Sequence, residues 1–144
     1  MSPSVPTFGP KSPGRRYVVR RAAYAVIWSA EGRVATVKTR RGHFLPGGGI
    51  EAGETDEIGL IREVREECAR AIELGPRIAE AVQFFGASRG YFEGHHVFFA
   101  GAFASEPEGV GEHELVWLDL EGARARLFHS SHFWAIDIGR RGAR

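Results

Sequence analysis

The segment from Gly47 to Arg70 constrains this chain more than any other, because it joins a run of glycines to an amphipathic helix pattern. On an ideal helix, with about 100° between residues, Glu63, Glu66 and Glu67 lie within an arc of about 100°. The pattern therefore predicts a helix with one face in the core and another that gathers carboxylates. The predicted core face holds Leu60, Ile61, Val64, Cys68, Ala71 and Ile72.

Two interpretations of these carboxylates compete. An acidic helix face is usually a solvated surface, and neighbouring arginines would offset part of its charge. However, Glu63 and Glu67 are like charges at i,i+4 spacing, which repel each other, so a cation between them is expected. Hard divalent cations prefer carboxylate and carbonyl oxygens, and a glycine turn at Gly47 and Gly48 lets a carbonyl approach an ion. This context favours a metal site.

Gly59 lies inside the predicted helix, where glycine costs about 1 kcal/mol relative to alanine. On a helical projection it points toward the carboxylate face. The missing side chain is therefore expected to leave room for an ion or a phosphate.

The spacing of these residues resembles the signature box of the Nudix hydrolases. The resemblance rests on Gly48, on Glu54, and on the run Arg62-Glu63-Val64-Arg65-Glu66-Glu67. The sequence departs from the family pattern after Glu67, where Ala69 replaces the usual glycine and Arg70 an aliphatic residue.

That departure bears on where the helix ends. Glycine commonly ends a helix at this position, so its replacement predicts a helix that continues toward Leu74. Gly75-Pro76 would then be the stop signal.

The resemblance implies a Nudix-like α/β/α sandwich with a mixed β-sheet and the Nudix loop-helix. It also implies a Mg2+ cofactor, with Mn2+ as a substitute. The ions would be held by Glu63, Glu66, Glu67 and a carbonyl near Gly47 or Gly48. Arg62 would orient Glu63, and Glu54 would support the loop or a metal-bound water.

In this family a further acidic residue, from a loop before a late strand, often completes the metal site or acts as the general base. Glu112 and Glu114 precede the strand pattern Leu115 to Asp119 and match that setting, with Glu112 slightly preferred. The general base is left open among Glu112, Glu114 and Glu63.

Alternating strand and helix patterns predict an α/β layered domain. Residues 16–28 and 33–39 are expected to form a β-hairpin around the turn Glu31-Gly32. Further strands are expected at residues 77–87 and 95–104, and helices at residues 121–127 and 131–140. Asp119 and Ser131 are the predicted helix caps.

Charge is unevenly distributed. Residues 1–50 carry nine Lys or Arg and one acid, whereas the rest of the chain carries ten Lys or Arg and seventeen acids. A basic flank beside an acidic helix suits a phosphate substrate, and Arg40 and Arg41 are candidates to bind it, although a surface role is equally consistent. The proline- and glycine-rich residues 1–15 are predicted to be a flexible tail.

Length and composition predict a single domain over residues 16–144. The one cysteine, Cys68, cannot form an internal disulfide, which favours a reducing, cytoplasmic setting. No apolar run is long enough to span a membrane. The expected partner is a small nucleotide, with nucleic acid disfavoured, and the chain is expected to be a monomer or homodimer.

The predicted reaction is Mg2+-dependent hydrolysis of a diphosphate linkage in a nucleoside diphosphate derivative, with nucleoside triphosphates or oxidised nucleotides favoured. Two alternatives are a Nudix-like domain that senses a nucleotide without hydrolysing it, and an acidic interaction module. A zinc site at His129 and His132, or at His95 and His96, lacks further clustered ligands in the sequence. Rossmann, P-loop and serine-hydrolase motifs do not occur.

Overall fold

Two sheets and three helices make up the computed structural model, which describes residues 5–142. The larger sheet has the strand order β1-β6-β7-β2-β5, and the smaller sheet has the order β4-β3-β8. The strands are β1 (Thr7–Phe8), β2 (Tyr17–Ile27), β3 (Val34–Thr39), β4 (Gly42–Phe44), β5 (Gly47–Gly49), β6 (Ile72–Ala87), β7 (Gly90–Phe103) and β8 (Glu114–Leu118). The helices are α1 (Asp56–Cys68), α2 (Leu120–Arg126) and α3 (Ser130–Gly142).

Strand β2 is the centre of the core, because its alternating side chains feed two hydrophobic clusters. Tyr24 and Val26 join one cluster together with Ile136 of α3. Ala25 and Ile27 join the other, which contains the buried side chains of α1. Helices therefore cover both faces of a mixed sheet, and the predicted α/β/α layering is confirmed.

The predicted hairpin of β2 and β3 is wrong beyond a single bridge between Trp28 and Val34. One edge of β2 pairs in parallel with β7 over its whole length, and the other edge pairs with β5. Strand β3 instead pairs with β4 and β8. The two strands therefore belong to different sheets.

The later elements follow the sequence pattern with longer strands. Strands β6 and β7 are neighbours in one antiparallel hairpin and extend beyond the predicted ranges. Asp119 caps α2, since its side chain accepts a hydrogen bond from the Gly122 N–H. Ser131 is not a cap: α3 begins at Ser130, and the Ser131 N–H donates to Gln83 Oε1 in the interior.

Helix α1 ends at Cys68, so the predicted continuation toward Leu74 is wrong. Ala69 adopts the left-handed conformation, with φ 53° and ψ 37°, that glycine adopts with less steric cost. Gly75 and Pro76 lie within β6, close to an irregularity in its pairing with β7. The chain keeps the helix stop although the residue that favours it is absent.

The amino-terminal segment differs from the predicted flexible tail. Residues 1–4 lie outside the described part of the chain, but Thr7–Phe8 forms a parallel edge strand against β6. The Phe8 ring lies 5.4 Å from the Trp134 ring of α3. This segment is packed onto the sheet, at least over residues 7 and 8.

Three histidines that lie apart in the sequence meet in the core. His96, His129 and His132 are at most 3% exposed, and their ring centroids lie 5.0–5.6 Å apart. Within the described residues they do not form a group that could hold a metal ion. The Leu45 N–H donates to His132 Nδ1, which places the ring proton of the neutral imidazole on Nε2.

Burial lowers the pKa of His96 to about 3 and that of His129 to about 4, and it lowers the pKa of His132 as well. These rings are neutral at neutral pH. The unfolded chain binds protons at these positions below about pH 6.5, whereas the folded protein does not. Their contribution to stability is therefore lost as the pH falls from about 6.5 toward 4.

Replacing Ala69 with glycine should raise the free energy of unfolding by about 1 kcal/mol, because glycine adopts the left-handed conformation without a Cβ clash. Denaturant unfolding measures this change. The control is Ala125→Gly in α2, which should lower stability by roughly 0.5–1 kcal/mol because it adds only backbone freedom. Loss of stability in both variants would contradict the assignment.

Acid should destabilise the wild type more than a His96→Leu variant. Between pH 7 and pH 4 the difference in unfolding free energy should shift by about 3 kcal/mol in favour of the variant. Glu67, with its raised pKa, acts in the opposite direction in both proteins and cancels in the comparison. Urea unfolding at several pH values measures the shift, and parallel curves would refute it.

Candidate active site

The carboxylate of Glu67 is buried at the junction of α1 and β5. Glu67 is only 7% exposed, and its Oε1 accepts a hydrogen bond of 2.8 Å from the Gly47 N–H. Burial, followed by the nearby charges of Glu63, Glu112 and Glu66, raises its pKa to about 8, although the bond from Gly47 opposes this shift. The imidazole of His113 is close by, with its Nε2 4.0 Å from Glu67 Oε2.

Gly48 brings the backbone of β5 directly against Glu63. A Cβ at this position would lie 2.8 Å from the Glu63 carboxyl carbon, closer than side-chain atoms approach. Gly47 is equally constrained, since its φ is 141° and a Cβ would meet the Ala23 backbone oxygen of β2. The sequence therefore needs both glycines to place a bare backbone beside the acidic side chains.

Arg62 links the loop before α1 to the acidic face of the helix. Its guanidinium donates to both carboxylate oxygens of Glu54, at 2.7 and 2.9 Å, and to the Gly49 carbonyl at 3.0 Å. It also contacts Glu63 at 3.1 Å and Glu66 at 3.3 Å. The hydrogen bond from Arg62 is the main reason that the pKa of Glu54 falls to about 2.

Two predicted features of α1 need correction. Gly59 does not leave room for an ion, because a Cβ there would lie 2.6 Å from Ile50 Cδ1 and 3.1 Å from Glu54 Oε1. The glycine is required for the loop to pack on the helix. Ile61 is 39% exposed, so the core face of the helix consists of Leu60, Val64 and Cys68. Ala71 and Ile72 lie beyond the helix end.

The loop before β8 docks on the carboxyl end of α1. The Glu112 and His113 N–H groups donate to the Glu66 and Glu67 carbonyls at 2.9 and 3.2 Å. The Glu112 carboxylate is close enough to raise the pKa values of Glu63 and Glu67. Glu114, in contrast, starts β8 opposite Lys38. Of the two predicted acids, Glu112 is the one beside the carboxylate cluster.

Arg40 and Arg41 line an open cleft that also contains Glu112. The cleft has a volume of about 1150 Å³, and its wall includes Lys38, Thr39, Arg40, Arg41, Ser88, Glu112, His113 and Glu114. The two arginines therefore face the same space as the acid next to α1. Arg41 also stacks over Phe128, with its guanidinium carbon 4.9 Å from the ring centroid.

A second cavity of about 300 Å³ adjoins this cleft and shares Arg41 and Ser88 with it. Its wall contains Arg20 and Arg89, which no motif in the sequence marks as functional residues. Both depend on long-range pairing, since Arg20 lies on β2 beside β7 and Arg89 lies in the turn between β6 and β7. The wall residues are Arg20, Tyr24, Arg41, Phe44, Phe85, Ala87, Ser88, Arg89, Phe92 and His129.

In the described part of the chain, no three Asp, Glu, His or Cys side chains are grouped closely enough to hold a metal ion as they stand. Arg62 contacts two of the predicted ligands, Glu63 and Glu66. A cation at this face would therefore compete with Arg62 for these carboxylates. No helix within residues 5–142 has the length and apolarity needed to cross a bilayer.

Comparison with known proteins identifies a family for this chain. The family model described as "NUDIX domain" matches residues 18–135. Among curated proteins, no significant match is found.

Solved structures share the fold. A NUDIX hydrolase from Nitrosomonas europaea has a TM-score of 0.72 at 19% identity, covering 88% of this chain and 92% of that one. A MutT protein from Methanosarcina mazei Go1 has a TM-score of 0.69 at 20% identity, with coverages of 89% and 98%. A MutT NUDIX hydrolase from Burkholderia pseudomallei has a TM-score of 0.69 at 25% identity, with coverages of 83% and 97%.

The family match spans most of the chain and includes the glycine turn, helix α1 and the Glu112 loop. The predicted resemblance and enzyme class are thereby confirmed. This chain belongs to the Nudix hydrolase family, which acts on nucleoside diphosphate derivatives.

Proposed function

We propose that this protein catalyses Mg2+-dependent hydrolysis of a diphosphate linkage in a nucleoside diphosphate derivative, by attack of water at phosphorus. Nucleoside triphosphates and oxidised nucleotides are the first substrates to test. One observation carries the proposal: the Glu63 and Glu67 side chains lie against the bare backbone of Gly47 and Gly48. This arrangement gathers carboxyl and backbone oxygen donors at one point.

The residues fit a hard divalent cation. Glu67 is buried with one backbone donor, and within the described residues no Lys or Arg lies within 4.0 Å of its carboxylate. The proposed ligands are Glu63, Glu66, Glu67 and a carbonyl near Gly47 or Gly48, all of them the oxygen donors that Mg2+ prefers, with Mn2+ as a substitute. Bound Mg2+ would neutralise phosphate charge and acidify a bound water.

Other residues position this cluster and the substrate. Arg62 holds Glu63 and, through Glu54, fixes the preceding loop to the helix. Glu112 is the preferred general base, because its exposed carboxylate lies beside the cluster and is free of ion pairs within residues 5–142. Glu114 and Glu63 are the alternative bases. Arg40 and Arg41 would bind substrate phosphates, and their position in the wall of the cleft supports this role.

The domain boundary and the setting are part of the same proposal. Residues 16–144 form the Nudix domain, to which the Thr7–Phe8 strand adds an edge. The single buried cysteine supports a cytoplasmic location. A small nucleotide is the proposed partner of the cleft, and monomer and homodimer both stay open as assembly states.

Magnesium should be required for cleavage of a nucleotide panel, and Glu66→Gln and Glu67→Gln should each lower kcat by at least about 100-fold, because each alters the proposed ligand set. Chromatographic quantification of the nucleoside monophosphate product measures turnover. A matched control is Glu121→Gln, an exposed acid on α2, which should retain full activity. Nucleotide binding without turnover in the wild type would instead favour the sensor alternative.

Gly48→Ala should lower activity by roughly 10- to 100-fold with little loss of stability, since the new methyl group displaces the Glu63 carboxylate. Steady-state kinetics and thermal unfolding measure the two effects. Gly142→Ala, with nothing within 4 Å of its new Cβ, is the control and should leave activity unchanged. Full activity in Gly48→Ala would show that activity does not need the close contact between Gly48 and Glu63, and it would contradict the proposed site.

A further inference from the structure

The smaller cavity next to the proposed active site is cationic. Three guanidiniums line it, from Arg20, Arg41 and Arg89, and no carboxylate is among its wall residues. Within residues 5–142, none of these arginines has a carboxylate oxygen within 4.0 Å. His129 adds no charge at neutral pH, because burial lowers its pKa to about 4.

Aromatic rings hold two of these guanidiniums in place. The guanidinium carbon of Arg20 lies 4.8 Å from the Phe92 centroid. That of Arg41 lies 5.8 Å from both the Phe44 and the Phe85 centroids. Stacking on a ring occupies the face of a guanidinium and leaves its N–H edge to donate hydrogen bonds. Arg41 Nη2 donates to the Gly86 carbonyl at 3.4 Å, which leaves its other N–H groups for an anion.

The cavity shares part of its wall with the cleft beside the proposed catalytic centre. Arg41 and Ser88 belong to its wall and also to the wall of the cleft that contains Glu112. Tyr24, another wall residue, pairs on β2 with Gly47 of the glycine turn. A substrate with its diphosphate beside α1 would therefore reach this cavity with a more distant part of the molecule.

Guanidiniums that have no carboxylate partner favour phosphate, which accepts bidentate, charge-assisted hydrogen bonds. A purely apolar group would leave the three charges without a partner in a space that it partly dehydrates. The aromatic walls suit the ring that carries such a phosphate. The chemistry of the cavity therefore selects a phosphorylated ring over a neutral one.

We propose that the cavity bounded by Arg20, Arg41 and Arg89 is a specificity subsite for a second, non-scissile phosphate. The substrate class is a nucleoside diphosphate derivative that carries a phosphate on a ring remote from the hydrolysed linkage. This inference rests on the proposed function for the position of the diphosphate. It adds that a second phosphate on the substrate determines which nucleoside diphosphate derivatives the protein prefers.

Matched substrate pairs test the subsite. NADPH and NADH differ by a 2′-phosphate, and coenzyme A and dephospho-coenzyme A differ by a 3′-phosphate, so the two pairs also show which ribose position the cavity takes. The wild type should favour the phosphorylated member of at least one pair by about 10-fold or more in kcat/KM. Arg20→Gln and Arg89→Gln should each bring that ratio toward one, whereas the exposed Arg33→Gln control should preserve it.

A binding experiment keeps this test separate from turnover. Calorimetry with adenosine 2′,5′-bisphosphate, adenosine 3′,5′-bisphosphate and AMP should show tighter binding of a bisphosphate, and Arg20→Gln and Arg89→Gln should remove the preference. Absence of hydrolysis with this preference intact would overturn the proposed reaction and support the subsite. Equal binding of all three ligands, or a preference that both variants retain, would overturn the subsite.

Discussion

The hydrogen bond from the Gly47 N–H to the buried Glu67 carboxylate joins the glycine turn to helix α1, and the rest of the site depends on it. A carboxylate at this depth is costly without a donor, and the backbone supplies one without adding a side chain. The same turn lets Gly48 lie against Glu63. The site is thus built from main chain on one side and acidic side chains on the other.

Strand β2 connects the glycine turn to the rest of the fold. It holds β5 along one edge and β7 along the other, and its side chains alternate between the clusters under α1 and α3. The glycine turn is therefore fixed by the most central strand of the sheet. The cationic cavity also uses β2, through Arg20 and Tyr24, so both ends of a substrate would meet the same strand.

Local signals in the sequence predicted the parts of the site that lie close together along the chain. The spacing from Gly48 to Glu67 specified the glycine turn, the acidic helix and the family, and Asp119 was readable as a cap because its partner is three residues away. Features that form between distant segments of the chain could not be predicted from the sequence. The pairing of β2 with β7 replaced the expected hairpin, and it brings Arg20 of β2 next to Phe92 of β7 in the wall of the cationic cavity.

The end of α1 shows a different limit of sequence analysis. Ala69 lacks the conformational preference that marks a helix stop, yet the chain turns there. The turn is held from outside the helix, since the Glu108, Glu112 and His113 N–H groups donate to carbonyls of Ala69, Glu66 and Glu67. These tertiary hydrogen bonds outweigh a local preference of about 1 kcal/mol.

Arg41 forms part of the wall of both cavities, and this shared position would link recognition at the two ends of the proposed substrate. A guanidinium drawn toward one chamber changes the shape and the potential of the other. Selectivity for the distal group and affinity for the diphosphate would then vary together when this side chain is altered. Engineering new specificity into this scaffold would be simpler at Arg20 or Arg89, each of which borders only one of the two chambers.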